Sequence, residues 1–452
     1  MTSAVARAGL SCAGTPDGWM KRRRGTLWSS AIWSGRPQMC VFQGWVMAPG
    51  SPGADRWVTR KGCRVVLVVV PHVTAGTRLV DLLQLLAGDQ RLQVVFTVPS
   101  MPDAWHGADE YVRSLGGVVL PWEQVVRMRF DLALAASFQE IHRIPAPVVL
   151  SPHGVGLVKS RLSPWDDREG EIPPGRGLTR ELLVRDGRVV PSALLLTHET
   201  ELARLRDGCP EAVPRAVVAG DLCFDRLRAS LPRRARYREA LGVRRGQQLV
   251  VVSSTWSSLS LLGSESDLVA RLTADLPADR YRVVTAVHPI VWAMHGAWQV
   301  RSWFADYLDA GHALLPPEDG WRAAVVAADA VIGDHGSVTV YAAALGVPVL
   351  VNRSSERDEA PGSVASVVRR LAHALDDRDL ACQLREACSA HRTGRSELGD
   401  LVTSRPGQAA ALVRRTAYEV LGLPEPTRPA PVHPVPLPVP ISHPFDGLGK
   451  AC

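Results

Sequence analysis

The sequence predicts an α/β protein made of two doubly wound, Rossmann-like halves that face a cleft, with disordered tails at both ends. Short, continuous runs of β-branched and other apolar residues recur along the chain, which is typical of strands buried on both faces of a parallel sheet. Helical or irregular segments separate these runs, as in repeated βαβ units. The chain has 452 residues, and one hydrophobic core stops growing at roughly 250–300 residues, so two domains plus tails are expected.

Composition and charge narrow the class of protein. Apolar residues make up 46% and charged residues 21% of the chain, close to the averages of about 45–50% and about 25% for soluble globular proteins. The net charge of +7 favours anionic partners. No nucleic-acid partner is predicted, because no motif of interleaved aromatic and basic residues accompanies the charge.

The eight cysteines show neither CxxC pairs nor metal-ligand spacing, so neither a metal site nor a disulfide framework is predicted. The sequence has no apolar run of about 18 residues that would span a membrane. A cytoplasmic location is therefore expected. The basic surface leaves peripheral attachment to the inner face of the membrane open, and the oligomeric state is also open.

Four segments are expected along the chain. Residues 1–60 are rich in Gly, Ser, Arg and Trp and predict a poorly ordered leader, in which Met47 is a candidate start. Residues 61–230 and 231–423 form the two Rossmann-like halves. Residues 424–452 are proline-rich and are expected to be extended or disordered, because proline removes a backbone donor and restricts φ.

The first half begins at Arg64, and the β-branched run 65–70 predicts its first buried strand. A loop and an amphipathic helix at 77–87 follow it. The same alternation continues, with further strands predicted at 92–98, 117–120, 131–136, 147–151, 193–197 and 215–219.

An arginine-rich helical stretch at 225–241 separates the two halves. The second half repeats the alternation, with strands predicted at 249–253, 281–287, 313–315, 330–332 and 347–351 and helices at about 363–375, 378–390 and 407–421. In doubly wound sheets, ligands bind outside the carboxyl ends of the strands. A cleft between the halves is the expected site.

The turn after the fourth strand of the second half is the clearest candidate for phosphate binding. Asp334, Ser337 and Thr339 place oxygens there, and the amides of Gly336 and Val338 lie at the start of a helix, whose first N–H groups attract anions. The alternative is an N-capped helix in which Asp334 or Ser337 satisfies those N–H groups and nothing binds.

A histidine follows the predicted strand at 147–151. His153 at a strand end can act as a general base near neutral pH, and the glycine at Gly154 allows a substrate to approach the backbone. Lys159 is a candidate phosphate contact. The alternative is that His153 only caps a turn.

Three further loops carry candidate ligand contacts. The hydroxyls of Ser254 and Thr255 suit a phosphate or ribose, or belong to an ordinary serine-rich turn. Pro289 restricts the backbone beside His288 and would aim its imidazole into the cleft, unless that histidine is structural. Glu356 can accept hydrogen bonds from a ribose diol, or is a solvated charge.

The order of these motifs resembles that of the CDP-glycerol glycerophosphotransferases, enzymes of teichoic-acid type polymer synthesis in the cell envelope. The resemblance covers about 64–376 and is clearer in the second half. It rests on His153-Gly154 with Lys159, the turn 220–225, Ser254-Thr255-Trp256, His288-Pro289 and Asp334-His335-Gly336-Ser337. The sequence departs from the family pattern by one extra residue before Lys159 and by His335-Gly336 where a Tyr-Ser pair is expected.

The resemblance implies a GT-B fold and a metal-independent transferase without a cofactor. His153 would act as a base or phosphate contact, and His288 would hold the nucleotide diphosphate. Ser337 and the adjacent amides would bind phosphate. The implied partners are a nucleotide-diphosphate donor, preferably CDP-linked, and a hydroxyl acceptor that receives a glycerophosphate or glycosyl group.

Two other interpretations stay open. Residues 334–337, 345–350 and 355–357, with His288-Pro289, are also similar to the UDP-N-acetylglucosamine 2-epimerases. A non-catalytic, nucleotide-sensing protein of GT-B shape is the third interpretation.

Overall fold

The structure is a computed structural model that describes residues 45–100, 107–156, 178–354, 362–390 and 397–445. These residues contain two parallel sheets joined by helices, which confirms the two Rossmann-like halves. We call the parts that carry the first and second sheets the first half and the second half.

The first half contains a seven-stranded parallel sheet and a short antiparallel hairpin. Its strands are β1 (Arg64–Val69), β2 (Leu92–Thr97), β3 (Val118–Val119), β4 (Leu132–Ala135), β5 (Val148–Leu150), β6 (Val184–Arg185), β7 (Arg188–Val189), β8 (Ala193–Leu196) and β9 (Ala216–Val218). The sheet order is β3-β2-β1-β4-β5-β8-β9, and β6 pairs with β7. The predicted strands are the seven members of this sheet.

The second half contains a six-stranded parallel sheet. Its strands are β10 (Gln248–Ser254), β11 (Tyr281–Val287), β12 (Ala313–Leu314), β13 (Ala330–Gly333), β14 (Val349–Val351) and β15 (His373–Ala374), in the order β12-β11-β10-β13-β14-β15. The predicted helix at 363–375 is too long, because its last residues pair with β14 as the edge strand β15.

Both sheets reverse their strand order at one point, between β1 and β4 and between β10 and β13. Ligands bind at the carboxyl ends of strands at such a reversal, since the connecting helices leave on opposite faces and open a crevice. A ligand is therefore expected to bind at the loops after β1, β10 and β13.

Helices cover both faces of the sheets. They are α1 (Val73–Leu86), α2 (Ala108–Ser114), α3 (Trp122–Val125), α4 (Arg180–Leu183), α5 (Glu199–Gly208), α6 (Leu222–Ser230), α7 (Arg234–Ala240), α8 (Leu261–Ser264), α9 (Leu268–Asp275), α10 (Pro289–Trp303), α11 (Ala305–Asp309), α12 (Trp321–Ala327), α13 (Ser337–Ala344), α14 (Val364–Leu371), α15 (Leu380–Ala390), α16 (Glu397–Val402) and α17 (Ala409–Leu421). Among the described helices, none is long and apolar enough to cross a bilayer.

Helix α17 packs on the first half, although the sequence assigned residues 231–423 to the second. Its buried side chains Ala409, Val413 and Ala417 are spaced at i, i+4 and i+8 and join the core formed by β1 and α1. The expected boundary at 423 therefore does not describe this helix. An amphipathic pattern shows that a face is buried but not which surface covers it.

The two ends of the described chain also contact the body. Residues 45–60 were expected to belong to the leader, yet Ala48 is buried in the first-half core. The Val46 amide donates to Gln124 Oε1 at 2.9 Å. Residues 424–445 are an extended segment along the body, which is one of the two expectations for the tail. Residues 1–44 and 446–452 lie outside the described residues.

Candidate functional site

Loops from both halves meet at the carboxyl ends of the strands. The Val155 amide, after β5, donates to Ser337 Oγ at the start of α13 over 3.2 Å. His288 Nε2, after β11, lies 3.5 Å from Thr74 Oγ1 in α1. The structure therefore brings together residues that are far apart in the sequence, including the loop that carries His153.

His153 is exposed, and the partner of one ring nitrogen decides its tautomer. Its Nδ1 lies 2.8 Å from the carbonyl oxygen of Ala136, which follows β4 and can only accept. Nδ1 therefore carries the hydrogen, and the neutral ring has its lone pair on Nε2. Nε2 is the atom that can take a proton from a substrate.

His288 holds the opposite tautomer. It is the N-cap of α10, and the Ile290 amide donates to its Nδ1 at 3.2 Å. The neutral ring therefore carries its hydrogen on Nε2, the nitrogen that points toward Thr74. An N–H donor at a helix N-terminus suits a phosphate oxygen.

His72 is a third histidine at the site, and the sequence interpretation missed it. It follows β1, caps α1 and accepts the Ala75 amide on Nδ1 at 3.1 Å. Its ring meets His153 edge-on, with 5.1 Å between ring centroids. Burial, and then the nearby His153 and His288, lower the pKa of His72 well below its ordinary value, so the ring stays neutral.

A sequence signal for His72 was present. Like His288, it lies within a few residues of the end of a buried β-branched strand and beside a proline, Pro71. Each of the two histidines accepts an amide of the next helix on Nδ1, so the neutral ring carries its hydrogen on Nε2.

The Asp334 carboxylate is buried and accepts hydrogen bonds from other groups of the protein. The residue is 1% exposed. Its Oδ2 accepts from the Thr255 amide at 2.7 Å, the Thr255 hydroxyl at 2.8 Å and the Leu261 amide at 3.1 Å, and Oδ1 accepts from the Gly336 amide at 3.0 Å. Asp334 therefore ties the loop after β10 to the loop after β13.

Two further predicted hydroxyls are also buried. Ser254 Oγ accepts from the Leu262 amide at 3.0 Å and donates to the Thr255 carbonyl at 3.2 Å. Thr339 is 1% exposed, and its Oγ1 has no hydrogen-bond partner among the described residues. It packs so closely on Gly333 that a Cβ there would lie 2.1 Å from Thr339 Oγ1.

Ser337, in the second half, contacts the loop after β5 of the first half. It is half-buried and follows Gly336, the N-cap of α13, so its own amide and that of Val338 belong to the first turn of that helix. A Cβ on Gly154 would lie 2.6 Å from Ser337 Oγ. This contact explains glycine at position 154.

Two predicted contacts, Lys159 and Glu356, lie outside the described residues. Within the described ranges, no group of three or more His, Cys, Asp or Glu side chains is arranged to hold a metal ion.

Comparison with known proteins supports the architecture. No known family profile and no curated protein sequence matches the chain. Among solved structures, the wall teichoic acid polymerase TagF is similar, with a TM-score of 0.52, 10% sequence identity and coverage of 80% of this chain and 88% of that one. UDP-GlcNAc 2-epimerase from Methanocaldococcus jannaschii has a TM-score of 0.48 and 12% identity, covering 78% and 99% of the two chains.

The chain has a GT-B fold. At these identities the likeness concerns the fold alone.

A buried polar network joins the two GT-B halves. Arg78 Nη2, in α1, donates to Tyr341 Oη of α13 at 2.9 Å, and Tyr341 Oη donates to Asp221 Oδ2 at 2.7 Å. Burial raises the pKa of Tyr341 well above its ordinary value, so its hydroxyl stays a donor. Arg78 Nη2 also lies 3.5 Å from the Gly154 carbonyl oxygen, so the network reaches the loop of His153.

Asp81 forms a second connection between the halves. It accepts from Arg226 Nη1 of α6 and, at 3.1 Å, from Arg322 Nη2 of α12. All three side chains are nearly inaccessible to solvent. Removing one partner of such a buried group leaves an uncompensated charge, so these contacts favour one arrangement of the halves.

Proposed function

We propose that the chain is a transferase that moves a glycerophosphate or glycosyl group from a nucleotide-diphosphate donor to a hydroxyl acceptor. The observation that carries this proposal is the pair of opposite histidine tautomers. His153 has its lone pair on Nε2 and suits a base, whereas His288 has Nε2–H and suits a phosphate contact.

In the proposed step, His153 Nε2 takes the proton of the acceptor hydroxyl. The oxygen then attacks phosphorus in a glycerophosphate donor, or the anomeric carbon in a glycosyl donor. The bond to the nucleotide leaving group breaks, and its electron pair stays on the departing phosphate oxygen. His288 Nε2–H and the N-termini of α10 and α13 stabilise that negative charge, so the step proceeds without a metal.

The donor is placed on the second half, where the amides of Ser337 and Val338 contact its phosphates, while the Gly336 amide donates to Asp334. Asp334, Ser254 and Thr255 hold these loops in position through the hydrogen bonds between them. Lys159 remains a proposed phosphate contact and Glu356 a proposed ribose contact.

A CDP-linked donor is preferred over a UDP-linked one. The order of the sequence motifs supports this choice, as does the TagF structure with a similar fold, a histidine variant soaked with CDPG. A role in a cell-envelope polymer and a cytoplasmic site at the inner face of the membrane follow from the same resemblance. The net charge of +7 is compatible with an anionic membrane surface.

The test replaces His153 and His288, one at a time, with asparagine. Asparagine can replace the Nδ1 contact of either ring but has no counterpart of Nε2. We expect His153→Asn to keep the thermal shift caused by CDP and to lose donor turnover by about 100-fold or more. His288→Asn should lose most of the CDP shift. The exposed His142 provides the control, and His142→Asn should behave as the native chain.

The products identify the transferred group. Release of CMP from CDP-glycerol indicates glycerophosphate transfer, and release of an intact nucleoside diphosphate indicates glycosyl transfer. CDP binding without turnover of either kind of donor would contradict a transferase and favour a nucleotide sensor. If neither CDP, CMP nor UDP shifts the melting temperature, the proposal fails altogether.

A further inference from the structure

The segment 424–445 crosses from one half of the protein to the other. It begins after α17, on the first half, where Arg91 Nη2 donates to the Pro424 carbonyl at 3.0 Å. Arg428 Nη2 donates to the Ala87 carbonyl at the end of α1. These contacts attach the start of the segment to the first half.

The middle of the segment is held by side chains of α6 and α7. Arg226 Nε donates to the His433 carbonyl at 2.9 Å. The Val435 amide donates to Ser230 Oγ at 2.9 Å, and Tyr237 Oη donates to the Val435 carbonyl at 2.8 Å. These side chains bind the backbone of the segment, and Arg226 also takes part in the contact with Asp81.

The end of the segment pairs with the edge of the second sheet. Leu314 in β12 and Ile441 exchange two backbone hydrogen bonds, of 3.0 and 2.8 Å, in antiparallel register. An edge strand presents unpaired N–H and C=O groups, and an added strand is a common way to bind an extended peptide.

Apolar side chains of the segment enter both cores. Ala430 and Val432 pack against the first-half core, whereas Val435 is 1% exposed within a core of the second half. Ile441 packs against the other second-half core. Prolines suit this path, because they favour an extended backbone and most of the contacts use carbonyl groups.

We propose that a groove running from α1, past α6 and α7, to β12 is a recognition surface for an extended proline-rich peptide. The occupant is this chain's own segment 430–441, and its binding couples the two halves. The proposal is independent of the transferase chemistry.

The test uses two valines of the same segment. Val435→Asp places a charge in a core, while the matched control Val439→Asp changes a side chain that is 77% exposed. In full-length protein, we expect Val435→Asp to raise hydrogen exchange by about tenfold in 424–445, at the end of α1 and at β12. Val439→Asp should leave all three regions unchanged.

A synthetic peptide with the sequence of residues 424–445 then tests recognition. Added to the Val435→Asp chain, it should restore protection at α1 and β12. The same peptide carrying the Val435→Asp change should not. If only β12 loses protection, the segment serves one half and the coupling is refuted. If the native peptide fails to bind, the groove is not a recognition surface.

Tyr237→Phe provides a milder variant in case Val435→Asp does not fold. It removes only the hydroxyl that donates to Val435, and it should raise exchange in the segment while the sheets keep their protection. Unchanged exchange in both variants would overturn the proposal.

Discussion

The loop after β5 and the turn after β13 have similar compositions and different roles. Both follow a buried strand, both contain glycine, and both carry polar groups. In the first, His153 is exposed, and its Nδ1 lies 2.8 Å from the Ala136 carbonyl oxygen. In the second, the Asp334 carboxylate accepts four hydrogen bonds from neighbouring loops, and Thr339 is buried.

A polar side chain is available to a ligand only where neighbouring backbone N–H groups do not already use it as their acceptor. The loops after β10 and β13 approach each other with several N–H groups pointing inward, and Asp334 satisfies them. His153 Nδ1, by contrast, donates to the Ala136 carbonyl. The turn after β13 therefore uses its carboxylate to join two loops, whereas the loop after β5 leaves the His153 ring exposed.

The largest expected effect concerns Asp334. Asp334→Ala leaves three amides and a hydroxyl without their acceptor, so we expect a loss of at least about 3 kcal/mol in the free energy of unfolding. Urea denaturation measures it, with the exposed Asp377→Ala as the control. Unchanged stability with abolished nucleotide binding would instead make Asp334 a ligand contact and remove the contrast between the two loops.

The contact between the two loops is the second test. Gly154→Ala places a Cβ 2.6 Å from Ser337 Oγ but 3.7 Å from Ser337 Cβ. The single variant should lose about 2 kcal/mol through overpacking. Adding Ser337→Ala removes the clashing oxygen and should restore most of that loss, which a double-mutant cycle measures. Additive effects would show that the loops do not touch in solution.

The buried His72 predicts a dependence of stability on pH. Burial, with His153 and His288 nearby, lowers the pKa of His72 in the folded state, whereas the unfolded chain titrates near about 6.5. The unfolded state then binds more protons below about pH 6.5, so stability falls on acidification by at most about 1.4 kcal/mol per pH unit.

Urea denaturation at pH 7, 6 and 5 tests this dependence. His72→Gln should flatten the decline below about pH 6.5, whereas the exposed His142→Gln should decline like the native chain. Equal slopes in all three proteins would show that His72 becomes protonated as readily folded as unfolded.

The smallest effect is expected at Thr339. Its buried hydroxyl has no partner among the described residues, so Thr339→Val should preserve stability or raise it by about 0.5 kcal/mol. Nucleotide affinity, measured by thermal shift, should not change. A loss of affinity with intact stability would show that this hydroxyl reaches the phosphate after all.

Much of the fold could be predicted because its signals are local. Each strand of the two sheets except β15 appears as an apolar run, and the positions of His153 and His288 at strand ends follow from those runs. β15 has two residues and no apolar run of its own, since pairing with β14 creates it. Likewise, nothing local shows that α17 covers the first sheet.

For the candidate site, the sequence predicted which loops lie at the ends of the strands but not how the polar groups of those loops are used. His72 was identifiable from the same strand-end pattern as His288. The burial of Ser254, Asp334 and Thr339 could not be predicted, because it depends on how closely the loops approach each other after the sheet forms. The attachment of the tail through Val435 depends likewise on surfaces contributed by α6 and α7.

The sequence alone predicts two alternating α/β halves and the polar groups at the ends of their strands. Hydrophobic periodicity and β-branched runs extend over only a few residues and can be read locally. The three-dimensional arrangement was needed to establish which nitrogen of His153 carries the hydrogen and which side-chain oxygens are buried. Those outcomes depend on partners that are distant in the sequence: His153 meets the Ala136 carbonyl 17 residues away, and Asp334 accepts from the Thr255 amide across 79 residues. Hydrogen bonds act over about 3 Å, so such partners meet only after the strands that carry them have formed their sheet.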